Sequence, residues 1–328
     1  MSKPFPHLSR TRALQGAIAG FLAFGLLLWW LLPGEEPPGG TIVFSTGSPG
    51  GVYEEYGEDL TGEFAKDMPD LKVDLETSDG SQDNVRRVAS GDADFAIAAA
   101  DAVESYAINN PEKAAGLRGV ARLYDDYVQL VVPRDSNIDS VAALKGKRVA
   151  IGRETSGVRL IANRVLEAEG IDPAKDITPY AYGIDKVNEL GRTIDAFFWS
   201  GGLPTNGLKT LAKTSSFKFV PITAAFVAKL HTQSAANRYY RPTNIPESAY
   251  DGQDAYAVPT IAVSNLLITR EDLDPRLTEW LTRTVIRSRD DIGSKVHSAQ
   301  LVDLRTAIYT SPLQLHEGAR RYYRSVKP

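Results

Sequence analysis

The amino-acid sequence predicts an α/β fold of two lobes with a hinge and a central cleft, preceded by a helix that spans a membrane. Three observations lead to this prediction. An uncharged run of 20 residues, Ala13 to Leu32, stands near the N-terminus. From Thr41 onward, short apolar runs alternate with helical patterns, which is typical of a mainly parallel sheet with helices on both faces. The remaining chain of about 290 residues is long for a single hydrophobic core, so two lobes are expected.

The apolar run 13–32 has the length and the flanking charges of a membrane-spanning helix. Twenty helical residues reach roughly 30 Å, about the thickness of the hydrocarbon core of a bilayer. Basic residues precede the run and two glutamates follow it, so residues 1–12 are expected in the cytoplasm and the rest of the chain on the periplasmic or cell-surface side. No small-x-small cleavage site follows Trp29-Trp30, which favours an uncleaved, single-pass anchor. The alternatives are a cleaved signal peptide and a buried helix of a soluble domain.

Composition excludes several classes of protein. The chain has no cysteine, which excludes disulfides, thiolate metal sites and a lipid-modified cysteine. It carries 41 acidic and 37 basic side chains, a net charge of −4. This balance argues against nucleic acid as a partner, because duplex binding needs basic patches. The histidines, at positions 7, 231, 297 and 316, lack the i, i+4 spacing of a zinc site, so neither a metal nor another cofactor is predicted.

A Pro/Gly-rich linker, 33–40, leads into the first lobe, which is expected to comprise residues 41–132 and 263–328. Apolar runs rich in β-branched or small residues indicate its strands, and a 3.6-residue period indicates its helices. The expected strands are 41–44, 71–76, 95–99, 128–132 and 261–270, and the expected helices run to about residue 66, over 84–90 and from about 275 to 304.

The second lobe is expected to comprise residues 133–262. It opens with a turn and strand within 144–152, followed by an amphipathic helix that Gly170 ends. Further strands are expected at 178–181, 195–199 and 217–222. The crossings between the lobes, near Pro133 and Val258-Pro259, are the expected hinges.

The glycine-rich turn 45–53 lies between the first strand and the first helix. Its glycines allow a tight turn and the close approach of a ligand, and the helix that follows presents free N–H groups to an anion. No Lys-Ser/Thr pair follows, so the turn is not a P-loop. The turn therefore indicates an anion site, with a purely structural turn as the alternative.

Three further turns at strand ends carry hydroxyl groups. They are 78–84 in the first lobe and 154–157 and 199–204 in the second. A helix cap alone would explain Ser81. Several such turns together favour a shared polar pocket, because ligands of open α/β sheets bind beyond the carboxyl ends of the strands.

An ordered series of motifs carries a resemblance to a known family. The motifs are Thr46 to Tyr53, ending Gly-Gly-Val-Tyr; Ser81 to Asn84; Ala89 to Asp94, with Ala100-Asp101 close behind; Leu144 to Gly152; Ser156-Gly157; Ile194 to Phe198; Tyr239 to Pro242; Val258 to Thr260; and Leu315 to Tyr323. In this order they resemble the TAXI-type solute-binding proteins of tripartite ATP-independent periplasmic (TRAP) transporters, over essentially all of Thr41 to Arg324.

The resemblance implies a type II periplasmic-binding-protein fold that closes over a small organic anion, such as a dicarboxylate, a keto acid or an acidic amino acid. The partners that it implies are this carboxylate solute and the membrane permease subunits of a TRAP transporter. No catalysis is expected. The residues expected to contact the solute are Thr46, Gly47, Ser48, Gly51, Tyr53, Ser81, Asn84, Asp101, Ser156, Gly157, Arg159, Trp199 and Ser200.

Some features leave alternatives open. Arg153 stands in a loop that is usually small and uncharged in the family, so Arg153 or Arg159 either pairs with a ligand carboxylate or lies at the surface. The same fold on an anchor also fits a sensor that signals to a membrane kinase. A hydrolase is the remaining class, but adjacent acids such as Asp125 and Asp126 are expected to form solvated faces rather than acid–base pairs.

Overall fold

The computed structural model describes residues 36–251 and 256–327, together with residues 14, 15, 18, 20, 21 and 24. The chain divides into two compact units, residues 1–37 and 38–328. The described residues between 14 and 24 are helical, and the rest of the expected membrane helix 13–32 lies outside the described residues. Among the residues that are described, no helix is both long and apolar enough to cross a membrane. The anchor therefore stays a prediction.

In the second unit, ten strands of the described chain form one sheet in the order β2-β1-β3-β10-β4-β7-β5-β6, with β8 paired to β4 and β9 to β10. The strands are β1 (Gly40–Ser45), β2 (Leu71–Glu76), β3 (Phe95–Ala99), β4 (Leu117–Pro133), β5 (Arg148–Ala150), β6 (Thr178–Tyr180), β7 (Ala196–Gly201), β8 (Phe217–Phe219), β9 (Arg241–Ile245) and β10 (Val258–Arg270).

Helices connect these strands. They are α1 (Val52–Asp67), α2 (Ser81–Ser90), α3 (Ala100–Asn109), α4 (Pro111–Ala114), α5 (Gly157–Ala168), α6 (Asn206–Ala212), α7 (Ala224–His231), α8 (Pro275–Arg287), α9 (Arg289–Gly293), α10 (Leu304–Ala307) and α11 (Glu317–Ser325). Short 3-10 turns cover Val141–Leu144, Ile184–Glu189, Ala235–Tyr239, Glu247–Ala249 and His297–Leu301. Local signals explain several ends: the Asp274 side chain caps α8 just before Pro275, and Gly91 ends α2 in the left-handed conformation.

The long strands β4 and β10 join two halves of the sheet. One part of β10, 265–269, pairs with β3, whereas its beginning, 258–262, pairs with β9. The end of β4, 127–131, pairs with β7. The two strands run antiparallel, and their register shifts twice between Ser264 and Ile268, so each shift is a bulge in their pairing. The sheet is therefore mixed at its centre, not mainly parallel as the sequence predicts.

The hydrophobic core forms separate clusters that follow this division. One cluster fills the half that contains β5 to β9. In the other half, Phe95 and Ile97 of β3 pack on the side of α1, α8 and α11, while the alternate residues Ala96 and Ala98 pack on the side of α2 and α3. We call residues 41–132 plus 263–328 the first lobe and residues 133–262 the second lobe, using the limits that the sequence predicts.

Candidate ligand-binding cleft

A cleft of about 640 Å³, counted out to its mouth, lies between the two lobes. Both lobes contribute to its walls. From the first lobe come Gly47, Ser48, Gly51, Val52, Tyr53, Asp79, Gly80, Ser81, Ala99, Asp101, Asp126 and Val263; from the second come Gly152, Arg153, Ser156, Gly157, Val158, Ile161, Gly183, Trp199, Ser200 and Gly201.

Four helices begin at the cleft: α1, α2, α3 and α5. Each follows a strand of the sheet, so their first turns gather beyond the carboxyl ends of β1, β2, β3 and β5. The turn before α5 requires glycine, because Gly152 has φ +85° and a Cβ there would lie 2.7 Å from the Ser156 Oγ. The first N–H groups of a helix have no partner within the helix and carry its positive dipole end, so these four turns offer donors to an anion.

The floor of the cleft is a connected set of buried polar groups. The Tyr53 hydroxyl lies 3.0 Å from the Ser81 Oγ and donates to the Asn265 Oδ1. The Asn265 Nδ2 in turn donates to the Asp126 Oδ1 over 2.6 Å. Ser81 is held from the other side by the Ala99 N–H, which donates to its Oγ over 3.1 Å. These bonds fix the side chains before any ligand arrives.

Asp126 supplies the carboxyl group of this floor. Its residue is 3% exposed, and burial raises its pKa to about 7. The negative charges of Asp125 and Asp101 also raise the pKa, whereas the hydrogen bond from the Asn265 amide opposes the rise. The expectation that Asp125 and Asp126 share a solvated face is therefore wrong for Asp126, because β4 and β10 enclose it.

Asp101 and Asp79, the other carboxylates in the wall, face arginines of the second lobe. The Asp101 Oδ2 accepts from Arg164 over 3.1 Å and from the Tyr240 hydroxyl over 2.7 Å. Burial raises the pKa of Asp101, and the charge of Arg164 opposes that rise. Asp79 lies 3.6 Å from the guanidinium of Arg153. Both pairs connect the two lobes.

The lobes also touch across the mouth of the cleft. The Asp83 N–H donates to the Thr155 carbonyl over 2.9 Å, and the Gln82 Nε2 donates to the Ser156 carbonyl over 2.6 Å. On another side, the Asn206 Nδ2 donates to the Glu55 Oε1 over 2.7 Å. The cleft is therefore closed in this structure by direct hydrogen bonds between the lobes.

Thirteen residues are expected to contact a solute. Ten of them line the cleft, and the other three, Thr46, Asn84 and Arg159, do not. Thr46 is fully buried, and its Oγ1 donates to the Glu76 carbonyl over 3.0 Å. Asn84 is also fully buried beneath the turn, where its Nδ2 donates to the Thr46 and Ile97 carbonyls. Arg159 bonds the Gly152 carbonyl through its Nε over 3.1 Å. Which of the ten touch a solute stays a prediction.

Several wall and floor residues are absent from the sequence prediction. Asp126 and Asn265 come from the interior of β4 and β10, where no turn or glycine marks a site. Arg153 lines the cleft, as one of the two alternatives for it requires, and bonds Asp185 over 3.1 Å. Within the described part of the chain, no three His, Asp or Glu side chains are grouped to hold a metal ion.

Comparison with known proteins places the chain in a family. A model described as the NMT1-like family matches residues 44–326. The chain belongs to the NMT1-like family. This match covers both lobes of the NMT1-like chain and all of the cleft. The family description names neither the TAXI proteins nor TRAP transporters, so that narrower resemblance stays a prediction.

Several solved structures are similar to this NMT1-like chain. PhnD1 from Prochlorococcus marinus, in complex with methylphosphonate, is 15% identical, with a TM-score of 0.52 over 79% of this chain and 89% of that one. A protein from Bordetella bronchiseptica is 16% identical, with a TM-score of 0.50 over 88% and 90%. The periplasmic aliphatic sulphonate binding protein SsuA from Escherichia coli is 12% identical, with a TM-score of 0.46 over 89% and 84%. The likeness to the first two confirms the expected α/β, periplasmic-binding-protein-like fold.

Proposed function

We propose that this NMT1-like protein is an extracytoplasmic solute-binding protein that captures a small organic anion for a membrane transporter. The observation that carries the proposal is the closed cleft between the lobes, onto which the first turns of four helices converge. A binding protein needs an enclosed polar site that opens and closes, and does not need a reactive group. The polar walls and the hydrogen bonds between the lobes support this role.

The donors in the walls match a carboxylate. Ser48 and Ser81 line the cleft beside the first N–H groups of α1 and α2. Ser156 lines it beside α5, but its hydroxyl already donates to the Arg153 carbonyl over 2.7 Å. A carboxylate has two oxygens that accept hydrogen bonds, and helix N-termini together with hydroxyls supply donors without a fixed counter-charge. Trp199 is nearly buried, and its Nε1 is occupied by Thr205 over 3.0 Å, so its ring offers an apolar wall for the carbon skeleton of the solute.

The proposed partner is the membrane permease of a TRAP-type transporter. This part of the proposal rests on the ordered motifs shared with TAXI proteins, and on the expected anchor, which would hold the protein beside its permease. Deletion of the gene should abolish uptake of the solute. Normal uptake in the deletion strain would contradict the transport role and favour the sensor that the same fold allows.

A thermal-shift screen tests the binding function. The full-length chain should melt at a higher temperature with at least one member of a panel of dicarboxylates, keto acids and amino acids, because a ligand that binds only the folded state stabilises it. Trp199→Ala should reduce the shift, since it removes a wall of the cleft. Trp280→Ala is the matched control. This tryptophan lies on α8, where the Arg283 guanidinium carbon is 4.6 Å from the centroid of its ring, and it does not line the cleft. No shift with any acid would overturn the proposal.

A further inference from the structure

The charges in the cleft wall are unevenly compensated. Three carboxylates line the cleft, Asp79, Asp101 and Asp126, and a single guanidinium, that of Arg153, lies among the lining residues. Asp79 faces Arg153, and Asp101 accepts a hydrogen bond from Arg164, whose side chain is itself mostly buried. Two of the three carboxylates thus have a cationic partner within the protein.

Asp126 has no such partner among the described residues. Its hydrogen-bond donor is the neutral Asn265 amide, and the Tyr53 hydroxyl donates to the oxygen of that same amide. The charged groups nearest to it, Asp125 and Asp101, are both negative and raise its pKa. The arginines that approach this part of β4, Arg122 and Arg241, bind Asp125 instead.

A buried carboxylate without a counter-charge is unfavourable, so it either holds a proton or meets a cation. The position of Asp126 makes the second solution available to a ligand, because Asp126 is one of the residues that line the cleft. An ammonium group has three N–H donors and fits a carboxylate that neutral donors satisfy only in part. The rest of the wall offers hydroxyls and helix N-termini, which suit an anion.

We propose that Asp126 recognises a protonated amine of the solute, so that the solute is an amino acid rather than a dicarboxylate or a keto acid. This inference rests on the proposed binding function and narrows its substrate class. The carboxylate of the amino acid lies at the first turns of the helices that line the cleft, its ammonium group at Asp126, and its side chain against Trp199.

Isothermal titration calorimetry on the full-length chain tests the inference with matched pairs. Each pair joins an amino acid to the keto acid of the same skeleton, for example glutamate with 2-oxoglutarate, aspartate with oxaloacetate and leucine with 4-methyl-2-oxopentanoate. The amino acid of the pair that binds should bind about 10- to 100-fold more tightly, the usual size of a charge-assisted hydrogen bond in a buried site.

Substitutions locate this preference in one side chain. Asp126→Asn keeps the shape of the residue. It should weaken binding of the amino acid by about 10- to 100-fold and leave the affinity for the keto acid nearly unchanged. Asp125→Asn is the matched control, because the neighbouring carboxylate binds Arg122 and Arg241 and does not line the cleft. It should keep the affinity of the unsubstituted chain for both ligands. A circular dichroism spectrum of each variant shows that the fold is retained.

The outcomes separate this inference from the proposed function. Equal or tighter binding of the keto acids would overturn the role of Asp126 and leave an organic-acid-binding protein. An unchanged amino-acid affinity in a folded Asp126→Asn variant would also overturn it. Stabilisation of the protein by sodium chloride but not by choline chloride would overturn it as well, because the carboxylate would then bind a metal cation. Failure of every acid to bind would instead contradict the proposed function itself.

Discussion

Asp126 shows how the fold turns an ordinary side chain into a titrating group. Its pKa of about 7 in the folded protein lies above the usual value of 3.8. Between about pH 4 and pH 7 the unfolded chain has lost this proton while the folded chain keeps it, so the contribution of Asp126 to stability falls as the pH rises through this window. A difference of about three pKa units corresponds to a loss on the order of 4 kcal/mol.

The substitution Asp126→Asn should therefore make the ligand-free protein more stable at pH 8. At pH 4 it should change the free energy of unfolding little. The groups that face Asp126 are Tyr53, Asn265, Asp101 and Asp125. The pKa of Asp101 is also raised, by its own burial. Urea unfolding of the unsubstituted chain and the variant, compared at each pH, isolates the contribution of Asp126. An equal difference at both pH values would contradict the raised pKa.

The adjacent residue, Asp125, has a pKa shift of the opposite sign. Burial raises its pKa, but the hydrogen bonds and charges of Arg241 and Arg122 outweigh burial and lower it. Its stabilising contribution is present above the unfolded pKa and is lost as the pH falls through the folded value. Asp125→Asn should thus reduce stability at pH 8, where Asp126→Asn increases it.

At the same scale, the sequence identifies some site residues and misses others for a physical reason. Tyr53, Ser81 and Ser156 follow strand ends and begin helices, so local patterns reveal them. Asp126 and Asn265 come from two strands that are distant in sequence and meet only through the antiparallel pairing of β4 with β10. Conversely, Asn84 has the same local signal as Ser81 but points beneath the turn, where its amide joins β1 to β3.

Among the elements, the strands of the outer parallel pairs are easier to predict than the central ones. The strand 71–76 has the predicted bounds, because a short apolar segment between turns is enough to define it. In β4 only 128–132 is predicted, whereas the strand runs over Leu117–Pro133. Its first half mixes charged and apolar residues and contains register shifts, which break the period of two that marks a strand.

Helix α1 offers a prediction that compares two glycines in one element. A Cβ on Gly57 would lie 2.4 Å from the Thr46 Cγ2, where the helix packs against the glycine-rich turn, whereas a Cβ on Gly62 meets nothing within 4 Å. Gly57→Ala should destabilise the protein by about 1–3 kcal/mol through overpacking. Gly62→Ala should stabilise it by up to about 1 kcal/mol, because alanine has the higher helix propensity.

Urea unfolding of both alanine variants measures these opposite effects. The comparison controls for the intrinsic preference of the helix for alanine, since both positions lie within Val52–Asp67. Effects of the same sign and size would show that the packing of α1 on Thr46 has no special role. A destabilised Gly57→Ala variant that also binds solute weakly would link this packing to the position of the turn 45–53.

For the whole molecule, the arrangement of β4 and β10 favours motion of one lobe against the other. These are the strands that carry the sheet from one core to the next, and their pairing contains two bulges, a feature that interrupts a regular ladder. The contacts across the cleft are polar: they include the hydrogen bonds of Thr155 and Ser156 with α2 and the ion pairs of Asp101 with Arg164 and Asp79 with Arg153. Polar contacts can be exchanged for contacts with water, so we expect an equilibrium between open and closed forms that the solute shifts.

A disulfide across the cleft tests whether solute entry needs this opening. The chain has no cysteine. The ideal Cβ of Gly157 lies 3.2 Å from the Ser81 Cβ, which is a few tenths of an ångström shorter than the range of roughly 3.5–4.5 Å that disulfides use. The variant Ser81→Cys with Gly157→Cys should therefore oxidise to one intramolecular disulfide that joins the lobes. Oxidised without solute, it should bind the acids of the thermal-shift panel far more slowly than after reduction. The single variants control for the loss of the Ser81 hydroxyl. Equal binding rates in the oxidised and reduced forms would show that the solute reaches its site without separation of the lobes.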